Sequence, residues 1–173
     1  MTYETLCKAS NRELERIMRA GTPPALSDLA GWELRGYNTT PLAELIRSRK
    51  FKKGFEGDPD DPDGLSGYNV RVRQNGLHAP WLPVLRHGEP IREFPYAVRP
   101  VRPGERDSRY ENALLLDYGL PGALPLPPTW LRDYMVQISP DNRDLMLGKA
   151  YAALGPLRIL VGFFIAERYN RVL

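Results

Sequence analysis

The chain has 173 residues, with hydrophobic side chains at 42% and charged ones at 26%. That is enough to bury one core, and the balance excludes disorder over the whole chain. Lysine and arginine total 24 against 21 acidic residues, a net charge of +3 that is weak for a nucleic-acid partner. The single cysteine, Cys7, excludes an internal disulfide framework and a cysteine-based zinc site, and it fits a reducing, cytoplasmic setting.

Read as one domain over 1–173, the sequence divides into an N-terminal helix and connection, 1–28, and a β region, 29–173. The opening residues mix charges with apolar side chains, so no signal-peptide core is expected there. Ser10 followed by Glu13 is a capping pattern, and Leu14, Ile17 and Met18 recur on one helical face before Gly21 and Pro23. A helix is predicted from about Ser10 to Ala20, with a possible earlier start near Thr2. The segment WELRGYN after Gly31 reads as a first strand. Residues 40–48 read as a short helix, with Thr40 as cap, Pro41 at the first helical position and Leu42, Leu45 and Ile46 facing inward.

From residue 49 the hydrophobic period shifts toward two. Strands are predicted over 49–56, 67–74, 93–101, 112–118, 131–139, 144–154 and 157–169, separated by turns at 58–64, 74–76, 102–108, 120–128, 139–142 and 154–156. With the first strand this makes about eight, the pattern of an antiparallel barrel or sandwich. Pro95 and Pro100 each lack a ladder donor, which places 93–101 at an edge or breaks it. Residues 141–154 also fit a capped helix ended by Gly155 and Pro156. The longest apolar run, Ile159 to Ala166, is only eight residues before Glu167 and Arg168, too short to span a bilayer.

Motifs for chemistry are sparse. DPDDPDG, 58–64, resembles a calcium loop until Gly64 is aligned with its invariant glycine, which puts Pro59 and Val70 at ligand positions. His78 and His87 lack partners at metal-ligand spacing, so no metal or cofactor is expected. GLSGY lacks one residue of a nucleophile elbow, and no glycine-rich phosphate loop precedes a helix. The basic run RSRKFKK, 47–53, puts Phe51 and Phe55 on one strand face and Lys50 and Lys52 on the other. It reads either as a solvated strand with its phenylalanines in the core or as a positive rim attracting anionic ligands.

The strand LRDYMVQI alternates Arg132, Tyr134, Val136 and Ile138 with Leu131, Asp133, Met135 and Gln137. If Val136 and Ile138 mark the interior, an arginine and a tyrosine point inside. A buried guanidinium then needs a carboxylate, supplied by a ligand or by Asp133, Asp117 or Glu167; otherwise Arg132 sits at the rim.

Three places resemble the lipocalin and fatty-acid-binding group of calycin-like barrels: Gly31-Trp32, Leu116-Asp117-Tyr118 and Glu167-Arg168. Trp32 to Gly36 is also similar to the G-x-W-x-x-x-G signature of small bacterial barrel domains. The resemblance implies a mainly β, eight-stranded calycin-like barrel with an N-terminal helix and a short helix after the first strand. It implies that Trp32 lies under Arg168 as a plug, a cation–π contact of about 0.5–2 kcal/mol. Arg132-x-Tyr134 is similar to the R-x-Y that grips a carboxylate in intracellular fatty-acid binders. The expected function is binding, without chemistry, of a small hydrophobic or anionic amphipathic ligand. Arg132 and Tyr134 would meet its head and Lys53 would help at the mouth, with Tyr68, Val70, Val72, Phe163 and Ile165 as the apolar lining. Two other readings stay open: a cavity isomerase or hydrolase using Asp117 or Glu167 as base, and a filled barrel serving as an interaction module.

Overall fold

The computed structural model describes residues 1–61, 63–121 and 129–172; most of the proline-rich turn expected at 120–128, and Pro62 in the acidic loop, lie outside them. In chain order the elements are α1 (Tyr3–Cys7), α2 (Asn11–Ala20), α3 (Leu26–Leu29), β1 (Trp32–Asn38), α4 (Pro41–Leu45), β2 (Lys50–Glu56) and β3 (Leu65–Arg71). There follow β4 (Leu85–Arg86), β5 (Glu89–Pro90), β6 (Arg92–Pro100), β7 (Leu114–Asp117), β8 (Leu131–Ser139), β9 (Asn142–Leu154) and β10 (Leu157–Arg171). Eight strands close into an antiparallel barrel in the order β1-β10-β9-β8-β7-β6-β3-β2. Each barrel strand pairs with the next in the chain, and the first pairs with the last. The fold is therefore the mainly β, eight-stranded barrel expected, with helices at its N-terminus and after its first strand. β4 and β5 form a separate small hairpin that the sequence does not announce.

Local chemistry explains most elements. The Ser10 side chain accepts from the Glu13 amide at 3.2 Å, starting α2 at the expected place, and Thr2 with Thr5 forms a reciprocal capping box that starts α1. Residues 142–154 are strand rather than helix, because β9 is ladder-paired on both sides by β8 and β10. β6 is likewise neither broken nor at an edge, since it pairs with β3 and β7. Pro95 is absorbed by a bulge: Gly67 pairs with Tyr96 and Asn69 with Glu93, so Phe94 and Pro95 together oppose Tyr68, and Phe94 takes a φ of 56°, while Pro100 ends the strand opposite Leu114. A bulge relieves a proline of its ladder duty.

The register divides the core in two. Leu34, Phe55, Tyr96, Leu116, Met135 and Phe164 belong to the cluster inside the barrel, while Tyr134, Val136, Leu147, Phe163 and Ile165 pack with Leu6, Leu14, Ile17 and Met18 of α1 and α2. The N-terminal helices thus cover the outer face of β8, β9 and β10, which are buried on both sides over much of their length. Lys149 of β9 ties α2 to this face, with its Nζ 2.5 Å from a Glu15 carboxylate oxygen and 2.6 Å from the Tyr110 hydroxyl.

One barrel end is closed. The Trp32 ring lies 5.3 Å from the Arg168 guanidinium and 4.8 Å from that of Arg171, with Leu29 fully buried beside it. Arg168 is held in turn by the carboxylates of Asp28 at 3.2 Å and Asp144 at 3.3 Å. Replacing half-buried Trp32 with alanine is expected to lower the unfolding free energy by about 2–3 kcal/mol, the low end of the range for large aromatic truncations, as read by urea denaturation. An unchanged midpoint would mean that the plug contributes only shape.

The opposite end is overlain by α4. This helix is shorter than the 40–48 expected, and Leu42, Leu45 and Ile46 do not face a core: they are 54%, 80% and 62% exposed. Beneath α4 lies empty space, so its apolar side chains have nothing to bury against.

Candidate functional site

The open half of the barrel is hollow. A cavity of about 710 Å³ extends inward from α4 and the adjoining strand ends, within the size range of small-molecule sites. Its wall is largely apolar, with Phe51, Leu131, Ala150 and Phe164 deep and Ile46, Phe94 and Val161 near the mouth. Gly148 lets the Phe164 ring lie flat against β9, because a Cβ at that position would sit 1.9 Å from the ring. Below the cavity the closed half is filled by Phe55, Leu114, Leu116, Met135 and Met146, all at or below 2% exposure.

Where the hollow and filled halves meet, four polar side chains converge. Lys53 points inward from β2, between Phe51 and Phe55 on the same face. Its Nζ donates to Asp133 Oδ2 at 3.0 Å and to Asn69 Oδ1 at 3.3 Å, and it bonds the Tyr118 hydroxyl. Tyr118 also donates to Asp133 Oδ2 at 3.3 Å, and Asn69 Nδ2 donates to Tyr118 at 3.4 Å. All four line the cavity. Four aromatic rings, Phe51, Tyr96, Tyr118 and Phe164, lie within 5.5 Å of the ammonium. Burial pushes the Lys53 pKa below the ordinary lysine value, against the charge and hydrogen bond of Asp133. Burial, reinforced by the Asp133 charge, raises Tyr118 well above an ordinary tyrosine, so Tyr118 keeps its proton and remains a donor. Asp133 Oδ1 is buried and has no hydrogen-bond partner among the described residues.

The sequence-predicted site does not assemble. Arg132 is on the outer face and is satisfied there, 3.1 Å from Asp117 and 3.3 Å from Asp107, so it cannot meet a ligand in the barrel. Tyr134, Phe163 and Ile165 lie on the same outer side, under α1 and α2. Tyr68 also faces outward, 3.3 Å from Glu33 and beneath the Arg92 guanidinium. Val72 packs with Trp81 in the outer cluster, while Val70 borders the cavity. Lys53 alone of the proposed polar residues reaches the interior, and it lies at the floor rather than the mouth. The physical reason for the inversion is α2. Val136 and Ile138 are apolar because a helix covers them, not because they face the barrel.

The two carboxylates considered as bases are also outside. Asp117 serves Arg132, and Glu167 accepts from Arg35 Nε at 2.7 Å. The carboxylate on the cavity floor is Asp133, which alternates with Arg132 and Tyr134 along β8 and so points to the opposite face. The basic run is partly paired, while Arg47 is exposed and lines the cavity together with Lys50. Arg49 pairs with Glu44 at 2.6 Å and Lys52 with Glu33 at 3.1 Å. Lys50 lashes the following loop, donating to Asn75 at 2.7 Å, to the Gly76 carbonyl at 2.9 Å and to that of Ala79 at 2.7 Å.

Among the described residues no group of three or more histidine, cysteine or acidic side chains is placed to hold a metal, and no helix is long and apolar enough to cross a membrane. Cys7 is buried, and burial with the nearby Glu4 charge pushes its thiol up to about 12, so it is not a nucleophile at neutral pH. The chain matches no protein-family model, no curated protein and no solved structure.

Proposed function

We propose that the barrel binds a small amphipathic molecule, tail toward α4 and polar head on the Lys53–Asp133–Tyr118 floor. The observation that carries this reading is the half-hollow interior ending on a buried ion pair. Such a pair is a poor device for stability, since removing two charges from water costs several kcal/mol per ion and apolar replacements often do as well. A charged pair at the bottom of an apolar cavity is better explained by a ligand.

The pair also selects the head group. The anionic ligand suggested by the fatty-acid-binder resemblance rested on Arg132 inside the barrel. Here the Lys53 charge is already neutralised by Asp133, and a ligand carboxylate would bring a second anion beside the first. A neutral head fits better, because an oxygen can accept from Lys53 or Tyr118 while a hydroxyl donates to the unpartnered Asp133 Oδ1. A buried acceptor left unpaired is unfavourable by about 1–3 kcal/mol, which such a donor would relieve.

The test is displacement of Nile red, a neutral solvatochromic dye, by decanol and by decanoate at neutral pH. Decanol should displace it at least about tenfold more tightly than decanoate, a difference of roughly 1.4 kcal/mol. Absence of dye binding, or of displacement by either competitor, would contradict a ligand-holding barrel. Tighter binding of decanoate would restore the anionic reading.

A further inference from the structure

The geometry points to Lys53 as an amine nucleophile that condenses with an aldehyde-headed amphipathic ligand to form an imine inside the barrel. This deepens the binding reading above and rests on it. Three observations place the chemistry. Lys53, which points inward from β2, stands at the floor of a largely apolar cavity, where an aldehyde tail would deliver its carbonyl. A carboxylate lies 3.0 Å from its Nζ and a phenol bonds the same nitrogen, so proton acceptor and donor are both in reach. The second carboxylate oxygen is free of any partner among the described residues.

The step balances without an external reagent. The ammonium of Lys53 passes a proton to Asp133, and the freed nitrogen lone pair attacks the carbonyl carbon, breaking the C=O π bond. A proton relayed from nitrogen to oxygen through the Tyr118 hydroxyl gives a carbinolamine, whose new hydroxyl can donate to Asp133 Oδ1. Asp133 then returns its proton to that hydroxyl, which leaves as water while the nitrogen lone pair closes the C=N bond. Ammonium and aldehyde become iminium and one water, with no change of oxidation state, and the Asp133 carboxylate is left paired with the iminium as it was with the ammonium. Burial favours both the neutral amine and the loss of water into bulk solvent.

The probe is decanal with cyanoborohydride, which reduces an imine to a stable secondary amine, followed by peptide mapping of the wild-type protein. Lys53 should be alkylated at least about tenfold faster than solvent-facing Lys8, because the cavity would hold the aldehyde beside the amine, and ahead of Lys50, Lys52 and Lys149. Decanol should protect Lys53, and the cavity-blocking variant Ala150→Trp should lose the Lys53 adduct while Lys8 is labelled as before. Alkylation that follows exposure alone, with Lys53 untouched while decanol still displaces Nile red, would overturn the imine and leave the binding reading standing. Neither adduct nor displacement would remove both.

Discussion

Lys53→Met is expected to lower the unfolding free energy at neutral pH by about 3–5 kcal/mol, because it strands the Asp133 carboxylate in the barrel interior without its charge partner. The methionine fills similar volume, so little of the loss comes from packing. The double variant Lys53→Met/Asp133→Leu removes both charges together and should recover most or all of the loss, since apolar substitution of a whole buried pair is often neutral or stabilising by about 1–4 kcal/mol. Urea unfolding of the wild type, Lys53→Met, Asp133→Leu and the double variant closes the cycle. Equal destabilisation in the single and double variants would mean that the pair contributes nothing beyond shape.

The same lysine imposes a pH dependence. Burial depresses its folded-state pKa, so above that shifted value the unfolded chain holds the Lys53 proton more tightly than the folded one, and this group's contribution to stability rises with pH toward the unfolded lysine value near 10.4. Lys50 is depressed in the same direction, by burial and by the Arg35 charge, and keeps part of the slope in Lys53→Met. Cys7 and Tyr118, whose pKa values burial raises, act in the opposite direction but are present in both proteins, so the slope of stability against pH on the approach to about pH 10 should be more positive in the wild type than in Lys53→Met. Identical slopes would place the Lys53 ammonium in a solvated setting.

Ala150→Trp should abolish ligand binding while leaving the fold intact. Ala150 is on the inner face of β9, paired with Asp133 of β8 and Gly162 of β10, and lines the cavity just above the polar floor. An indole there occupies space that is already empty, so the overpacking that usually penalises small-to-large substitutions by about 1–3 kcal/mol is largely avoided. Nile red affinity should fall by about a hundredfold, roughly 2.8 kcal/mol, with the urea midpoint nearly unchanged. Retained affinity would locate the dye outside the barrel.

These two substitutions address residues of very different legibility. Lys53 was readable: the alternation of RKFKKGFE puts it on the face of Phe51 and Phe55 whatever surrounds the strand. Trp32 and Arg168 were readable too, through the spacing that resembles lipocalin barrels, and they do stack at the closed end. Ala150 and Asp133 were not. Each lies on a strand buried on both faces, where apolar residues alternate with apolar residues and periodicity reports a strand without saying which side is in.

The linear sequence by itself determined the eight barrel strands, the caps of α2 and α4 and the inner face of β2, because side-chain period and capping hydrogen bonds are local. Only the tertiary structure decided the interior of β8 to β10, since that depends on which surface α1 and α2 cover. It alone brought Lys53, Asn69, Tyr118 and Asp133 together, because their contact is made by barrel closure across as many as 80 residues of chain.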